Sequence, residues 1–240
     1  MRTRAAQAAA VAVVTVTAVT GCHGGGRSGA APTTASPHDG LGGSPSATPT
    51  SASPGYTARQ LANALIEPPA GATATVRTSG PLTTVLKKLS AGAPPVTDEL
   101  PCTRVGPLDI KDIGSKPSAF VSFPQVGRSP SELLTAVPGQ PAEQAITQPV
   151  PRACRTIETR VGRVPVTVKM VSDEPLDIGD GGRIIQTDQV TGGTRLHSWQ
   201  VLFTGPGYLA AIELVGPKVT RADAESLARQ AYRKAHATLR

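Results

Sequence analysis

Residue types that commonly carry catalysis or metal binding are scarce in this chain of 240 residues. Aromatic residues make up 3% of it, with Trp199 as the only tryptophan, and there are four histidines and three cysteines. The motifs G-x-S-x-G, H-E-x-x-H and S-x-x-K, which mark serine and zinc hydrolases, are absent. His197 and His236 are far apart in sequence and neither has a metal-binding spacing. We therefore predict no catalytic residue, no metal site and no cofactor.

A membrane-spanning run is also missing, because a helix that crosses a bilayer needs about 20 apolar residues. The apolar run from Ala5 to Val19 is shorter and contains polar Gln and Thr residues. It follows two arginines and ends in Val19-Thr20-Gly21-Cys22. A charged start, a short apolar segment and a small residue before the cleavage point are typical of a secretory signal peptide.

The Val19-Thr20-Gly21-Cys22 stretch resembles the lipobox of bacterial lipoproteins. This resemblance implies that residues 1–21 are a signal peptide, cleaved between Gly21 and Cys22, and that the Cys22 thiol carries palmitate-type acyl chains. It also implies a lipid anchor that holds the protein at the cell membrane, on the extracytoplasmic face. An ordinary signal peptide with a chance cysteine and an uncleaved anchor stay open as alternatives.

Positive charge exceeds negative charge, but no basic run is longer than a pair. The formal net charge of +7 falls to +5 when Arg2 and Arg4 leave with the signal peptide. An exported protein does not routinely meet nucleic acid, so we predict no nucleic-acid partner. The charge suits an envelope lipid, a wall polymer or a protein partner, or only a general solubilising role.

The cysteine count becomes even once Cys22 is acylated. Cys102 and Cys154 then remain, and the oxidising setting outside the cytoplasm favours a disulfide between them. The two are 52 positions apart. For a loop of that length the chain-entropy relation predicts about 4 kcal/mol of stabilisation.

Residues 22–55 consist of the acylated Cys22 and a segment rich in Gly, Ser, Pro and Thr. Leu41 is almost the only large apolar side chain in it. Such a segment cannot offset the entropy lost on ordering, so we predict a disordered linker. Its root-mean-square reach is about 30 Å, and its Pro, Ser and Thr content leaves O-glycosylation open.

Residues 56–240 carry the helix signals of a single α+β domain. Capping boxes at Thr57–Gln60 and Thr220–Asp223 predict the starts of the first and last helices. Pro81 predicts the start of a helix with one apolar stripe. The Ser129–Glu132 segment also looks like a helix start, and we expect that short helix to end at Pro138.

Strand patterns occupy the remaining parts of this domain. Residues 119–123 predict a buried strand, and residues 164–170 alternate with period two. Residues 197–204 and 208–214 alternate on either side of Gly205-Pro206-Gly207, which predicts an antiparallel hairpin under the last helix. We therefore expect an α+β fold with an antiparallel sheet flanked by helices.

An acidic cluster follows the period-two strand. Its members are Asp173, Glu174, Asp177 and Asp180, which surround three glycines. The spacing does not fit an EF-hand loop, which needs ligands at alternate positions and a closing Glu. We predict a solvated turn between strands instead of a calcium site.

Arg195, His197, Trp199 and Tyr208 lie on or beside the predicted hairpin, and we propose them as candidate ligand-binding residues. Amphipathic rings near an arginine suit a cleft for an apolar or anionic ligand. Burial in the structural core is the alternative.

The order of elements in residues 56–240 resembles that of the extracytoplasmic sensor domain of PknH-type kinases and related envelope lipoproteins. The opening helix, Cys102, Cys154 and the stretch from Trp199 to Ala235 carry this resemblance. It implies an antiparallel sheet flanked by helices, a cleft, and a role in binding instead of catalysis. That family typically has two disulfides, whereas this domain can form one.

We thus expect a lipid-anchored, extracytoplasmic, sensor-like module that binds a ligand or partner and is not an enzyme. An envelope hydrolase with an unidentified nucleophile and an assembly or scaffold lipoprotein are the alternatives. A Ser or Thr hydroxyl within reach of His197, itself oriented by a carboxylate, would favour the hydrolase. A large exposed apolar patch would favour the scaffold.

Overall fold

The computed structural model describes residues 55–69, 72, 75–91, 113–137 and 139–239. Within these residues the chain forms one eight-stranded antiparallel sheet and four α-helices, which confirms the predicted α+β class. The helices are α1 (Ala58–Ala64), α2 (Leu82–Ser90), α3 (Gln140–Thr147) and α4 (Arg221–Thr238). The strands are β1 (Val76–Pro81), β2 (Pro117–Ser122), β3 (Ser129–Thr135), β4 (Thr156–Val161), β5 (Val164–Leu176), β6 (Gly181–Thr191), β7 (Thr194–Gly205) and β8 (Tyr208–Gly216).

The strand order is β1-β2-β3-β8-β7-β6-β5-β4. Strands β4 to β8 follow one another as successive hairpins, so each pairs with its neighbour in sequence. β8 then pairs with β3, with Leu134 opposite Ala210. This single long-range pairing joins the first three strands to the last five.

One side of the sheet, which we call the front face, carries the main core. Directly paired residues share a face of a sheet, and Val121, Leu134, Ile212 and Val201 are all fully buried on this one. Helix α1 packs on β1 and β2, and α4 packs on β7 and β8. The α4 residues against the sheet are small, which lets the helix approach closely: Ala224, Ala228, Ala231 and Ala235 are all buried. The predicted packing of the last helix on the hairpin is confirmed.

An aromatic cluster ties the beginning of the domain to its end. The Tyr208 ring centroid lies 6.3 Å from that of Tyr56 and 6.5 Å from that of Phe203, in edge-on geometry. Phe203 also meets Tyr232 of α4, with ring centroids 5.9 Å apart. The Tyr56 hydroxyl donates a hydrogen bond to the Leu239 carbonyl. Both ends of the described domain therefore meet at the β7–β8 turn.

The local sequence signals are confirmed at three helix starts and four strands. Both capping boxes form, at Thr57–Gln60 and at Thr220–Asp223. Helix α2 begins after Pro81, and its Leu82 and Val85 are buried. Strand β2 and the β7–β8 hairpin lie close to their predicted positions, whereas β5 begins at Val164 as predicted but continues beyond residue 170 to Leu176.

The predicted helix at Ser129–Glu132 is wrong, because residues 129–135 form the central strand β3. This strand pairs with β2 on one side and β8 on the other. The segment does have a local helix-start signature, but pairing on both sides and burial of its side chains outweigh that weak preference. Pro130 is tolerated because it is the second residue of β3 and lies opposite Phe123, just beyond the end of β2 at Ser122, so the N–H that proline lacks is not needed for a ladder bond.

The predicted acidic turn needs correction at its first two residues, because Asp173 and Glu174 lie within β5. Asp173 forms an ion pair with Arg183, and both side chains are less than a tenth exposed. Glu174 pairs with Arg221 of α4 at 2.6 Å. Only residues 177–180 connect β5 to β6. No metal-binding cluster of His, Cys, Asp or Glu occurs among the residues described.

Cys22, the linker at 23–54 and Cys102 lie outside the described residues, so the lipid anchor, the linker and the cysteine pairing stay predictions. Cys154 ends a short 3-10 helix, Arg152–Cys154, and is not free. Among the described helices, none has the length and hydropathy needed to cross a membrane.

Candidate functional site

A groove of about 240 Å³ opens on the front face beside the first turns of α4. Three parts of the chain enclose it: the segment after α1, the β2–β3 hairpin and helix α4. Its apolar lining is Pro69, Phe123, Pro130, Leu214 and Leu227, and its polar lining is Glu67, Gln125, Arg128, Asp223, Ser226 and Gln230. The lining is therefore mixed and slightly more polar than apolar, which suits a polar small molecule better than an apolar one.

The tight β2–β3 turn positions Arg128. The backbones of Gln125 and Arg128 exchange two hydrogen bonds, of 2.8 and 3.3 Å. The Arg128 Nε–H also donates to Gln125 Oε1 at 2.7 Å. These bonds hold the guanidinium group on the edge of the groove.

Asp223 places a negative charge on the same groove. Its Oδ2 accepts hydrogen bonds from the Thr220 hydroxyl at 2.6 Å and the Thr220 N–H at 3.0 Å. These hydrogen bonds from Thr220, and then the positive charge of Arg128, hold the pKa of Asp223 below its ordinary value. The groove therefore presents an ionised carboxylate and a guanidinium group, a combination that suits a zwitterionic or hydroxyl-rich ligand group.

Glu132 lies buried beside this groove, on the same face as Pro130. Its Oε2 accepts a hydrogen bond from the Ile66 N–H at 2.6 Å, whereas its Oε1 has no partner. Burial raises the pKa of Glu132 to about 8, although the bond from Ile66 acts in the opposite direction. The side chain is thus protonated at neutral pH. Because Ile66 directly precedes Glu67, Glu132 positions one wall of the groove.

The predicted ligand-binding residues do not line this groove. Arg195, His197 and Trp199 follow one another on the front face of β7, where Arg195 is exposed and Trp199 is 9% exposed within the core. Tyr208 is fully buried at the opposite end of β7, beside Gly205. The structure thus brings three of the four together and separates Tyr208 from them; their role in ligand binding stays a prediction.

His197 has a carboxylate partner. Its Nδ1 lies 2.7 Å from Oδ1 of Asp188, which is the residue directly opposite on β6. Both side chains are partly exposed. Among the described residues, no Ser or Thr hydroxyl hydrogen-bonds to His197. The pair therefore has the carboxylate that the hydrolase alternative requires but not the nucleophile.

A second polar pair lies on the opposite face of β7 and β8, which we call the back face. The Ser198 hydroxyl donates to Glu213 Oε1 at 3.2 Å. Burial raises the pKa of Glu213 to about 6, and this hydrogen bond lowers it by a smaller amount. The sheet separates this pair from the groove.

The sequence signals single out neither Arg128 nor Glu67, and they give Asp223 only a capping role. Arg128 directly precedes the Ser129–Glu132 segment, whose local pattern predicts a helix start. With Ser129–Thr135 as a strand, residues 123–128 become a hairpin connection that carries Arg128. No local signal marks Glu67, since its partners are distant in sequence.

Neither a family model nor a curated protein sequence matches this chain. The fold is similar to a solved structure, the extracellular domain of PknH from Mycobacterium tuberculosis. The TM-score is 0.50 at 11% sequence identity, over 77% of this chain and 98% of that one. The predicted resemblance to the PknH-type sensor domain is thus supported at the level of the fold. An uncharacterized protein from Mycobacterium smegmatis, an Rv0999 ortholog, matches at a TM-score of 0.33 and 12% identity, over 77% of this chain and 84% of that one.

Proposed function

We propose that this protein is a lipid-anchored, sensor-like module that binds a small ligand on the extracytoplasmic side of the membrane. The groove between the β2–β3 hairpin and α4 is the observation that carries the proposal. Its apolar side chains would contact the less polar part of the ligand, and Arg128 and Asp223 would fix the ligand's orientation. The similarity in fold to an extracellular domain, and the signal-peptide pattern before Cys22, agree with this location.

The size of the groove limits the ligand. Its volume of about 240 Å³ is below the roughly 300 to 1,000 Å³ that sites for drug-sized ligands occupy. A single sugar ring, an amino-acid-sized fragment or the end group of a longer envelope molecule would fit. We therefore expect soluble wall fragments and lipid headgroup analogues to be better probes than intact polymers.

Thermal shift measurements with these probes would test the proposal. A ligand at 100 times its dissociation constant stabilises the native state by about 2.7 kcal/mol. The substitution Ser226→Trp should fill the groove and remove that shift. Ala237→Trp is the matched control, because Ala237 is an exposed residue on the same helix that does not line the groove. A probe that stabilises both variants equally would place binding elsewhere.

Membrane anchoring needs its own experiment. Two or three acyl chains hold a protein firmly, so salt washes should leave the protein on intact membranes and detergent should release it. A Cys22→Ser chain should lose this behaviour. Release of the natural protein by salt alone would contradict the lipid anchor.

We favour binding over catalysis because Asp188 orients the His197 ring but no Ser or Thr hydroxyl of the described residues hydrogen-bonds to it. The hydrolase alternative needs a Ser or Thr nucleophile that a neighbouring base activates. Replacing His197 by Gln should therefore leave ligand-induced thermal shifts intact. Hydrolysis of a wall fragment by the natural chain, and its loss in this variant, would reverse our preference.

A further inference from the structure

One end of the sheet carries unpaired arginines and exposed valines. We call this feature the arginine tip and define it as Arg160, Arg163, Arg195, Val164 and Val190. Val161 pairs with Val164 across the β4–β5 turn, and Thr191 pairs with Thr194 across the β6–β7 turn. Because the strands are antiparallel, both turns lie at the same end of the sheet. β7 extends beyond β8 here, since His197 is opposite Gly216 at the end of β8.

The charges of the arginine tip are not used within the domain. Arg160, Arg163 and Arg195 are exposed, and none of their side chains forms a hydrogen bond or ion pair with another described residue. By contrast, Arg183 and Arg221 each bind carboxylates within the fold. No acidic residue occurs at positions 159–167 or 190–196. The nearest carboxylates along these strands are Glu158, two positions before Arg160, and Asp188, which pairs with His197, so the tip keeps an excess of positive charge.

Two valines accompany these charges. Val164 is 42% exposed and Val190 is 38% exposed. They occupy opposite faces of the sheet, so apolar surface is present on both sides of the tip. The adjoining turns contain Gly162, Gly192 and Gly193, which add no side chain that would block a close approach.

We propose that the arginine tip docks on a bilayer surface that contains anionic lipid headgroups. Arginines near such a surface are attracted to it electrostatically, and the valines gain free energy when they leave water at the interface. A soluble anionic polymer would satisfy the arginines but would leave the valines in water. The combination therefore favours a bilayer as the partner.

This docking site is separate from the groove and does not depend on the proposed function. The tip lies at the start of β7. The β7–β8 turn, against which Tyr56 packs, lies at the other end of this strand.

Vesicle co-sedimentation would test the proposal with the full chain carrying Cys22→Ser, so that no acyl chain contributes. The probes are phosphatidylcholine vesicles with and without phosphatidylglycerol. We expect binding to the anionic vesicles that weakens as salt is raised. Replacing Arg160, Arg163 and Arg195 together by Gln should reduce this binding by about 100-fold.

The matched control replaces Arg59, Lys218 and Arg233 by Gln. These residues are also exposed and without a partner among the described residues, so the change in net charge is the same. The control should bind vesicles nearly as well as the parent chain. An equal loss in both triple variants would show that binding follows total charge and would overturn the proposal. All variants should retain the parent circular dichroism spectrum.

Replacing Val164 and Val190 together by Ser separates a bilayer from a polymer. This variant should bind anionic vesicles about tenfold more weakly and should bind soluble dextran sulfate like its parent. Unchanged vesicle binding, together with tight binding of dextran sulfate, would show that the tip binds a soluble anionic polymer and would overturn the proposal of a bilayer partner. The groove variant Ser226→Trp should leave vesicle binding unaffected, so failure of the proposed ligand site would be recognised separately.

Discussion

Glu132 of β3 accepts a hydrogen bond from the backbone N–H of Ile66, which lies 66 positions earlier in the chain. This bond joins the segment after α1 to the centre of the sheet, where Glu132 is fully buried. The other carboxyl oxygen of Glu132, Oε1, has no hydrogen-bond partner among the described residues. The same residue thus positions a wall of the groove and makes the stability of the domain sensitive to pH.

Replacing Glu132 by Gln should remove a pH dependence of stability. Burial raises the pKa of Glu132 to about 8 from 4.5, so between these pH values the unfolded state loses a proton that the folded state retains. The free energy of unfolding should therefore fall as pH rises through this window, by about 3 to 5 kcal/mol. Below pH 4.5 both states are protonated and the effect vanishes. Gln keeps an acceptor for Ile66 but cannot ionise.

Urea denaturation at pH 5, 7 and 9 would measure this difference. Glu158→Gln is the matched control, because Glu158 is exposed on the edge strand β4. The control variant should have the same free energy of unfolding as the natural protein at each pH. Parallel stability curves for the natural protein and the Glu132→Gln variant would show that Glu132 does not retain its proton on folding.

Asp173→Asn should destabilise the domain strongly. The change leaves the guanidinium group of Arg183 buried without a counter-charge, and breaking a buried pair in this way costs about 3 to 5 kcal/mol. Glu174→Gln, at the next position, removes one member of the exposed pair with Arg221 and should have little effect. Denaturant midpoints would give the comparison. Similar midpoints for the two variants would contradict the buried character of the first pair.

Gly179→Ala should destabilise more than Gly193→Ala. Both glycines have positive φ, +64° and +83°, which costs a residue with a Cβ about 1 to 2 kcal/mol. At Gly179 the added Cβ would also collide with the Thr204 carbonyl oxygen, which already accepts from the Asp180 N–H at 2.9 Å. At Gly193 the space is open. Melting temperatures would separate the two effects, and equal shifts would mean that the β5–β6 turn can move away from Thr204.

Pairing of Cys102 with Cys154 predicts a thiol count of zero for the Cys22→Ser chain when it is denatured without reductant. Reduction should then yield two thiols and lower the stability of the domain by about 4 kcal/mol. Cys102→Ser should have an effect on stability similar to that of reduction. Detection of two thiols before reduction would contradict the pairing.

Local patterns predicted those elements whose boundaries depend on nearby residues. The capping boxes at Thr57 and Thr220 form because the partner of each side chain is three positions away. The β7–β8 hairpin forms around a short Gly-Pro-Gly turn, and its alternation follows the pleat of the strands. Predictions of this kind need no knowledge of the rest of the fold.

Residues 129–135 show the limit of prediction from local patterns, because they form a strand where the pattern predicts a helix. Ser129, Pro130 and Glu132 have the types and spacing of a helix start, yet this segment completes the sheet between β2 and β8. Its partner β8 lies about 80 positions later in sequence. The groove has no local signal for the same reason, because Arg128 and Asp223 come together only when β3 and α4 are in place.

The α+β class, the starts of α1, α2 and α4, the last hairpin and the alanine face of α4 follow from the sequence, since they depend on side-chain periodicity and contacts a few residues apart. Only the folded chain makes Glu132 a buried acid, pairs Asp173 with Arg183, and brings Arg128 and Asp223 to one groove. It also places Arg195 at an uncovered end of the sheet. Burial and charge pairing of these residues depend on strand order, and strand order is set by contacts between distant parts of the chain.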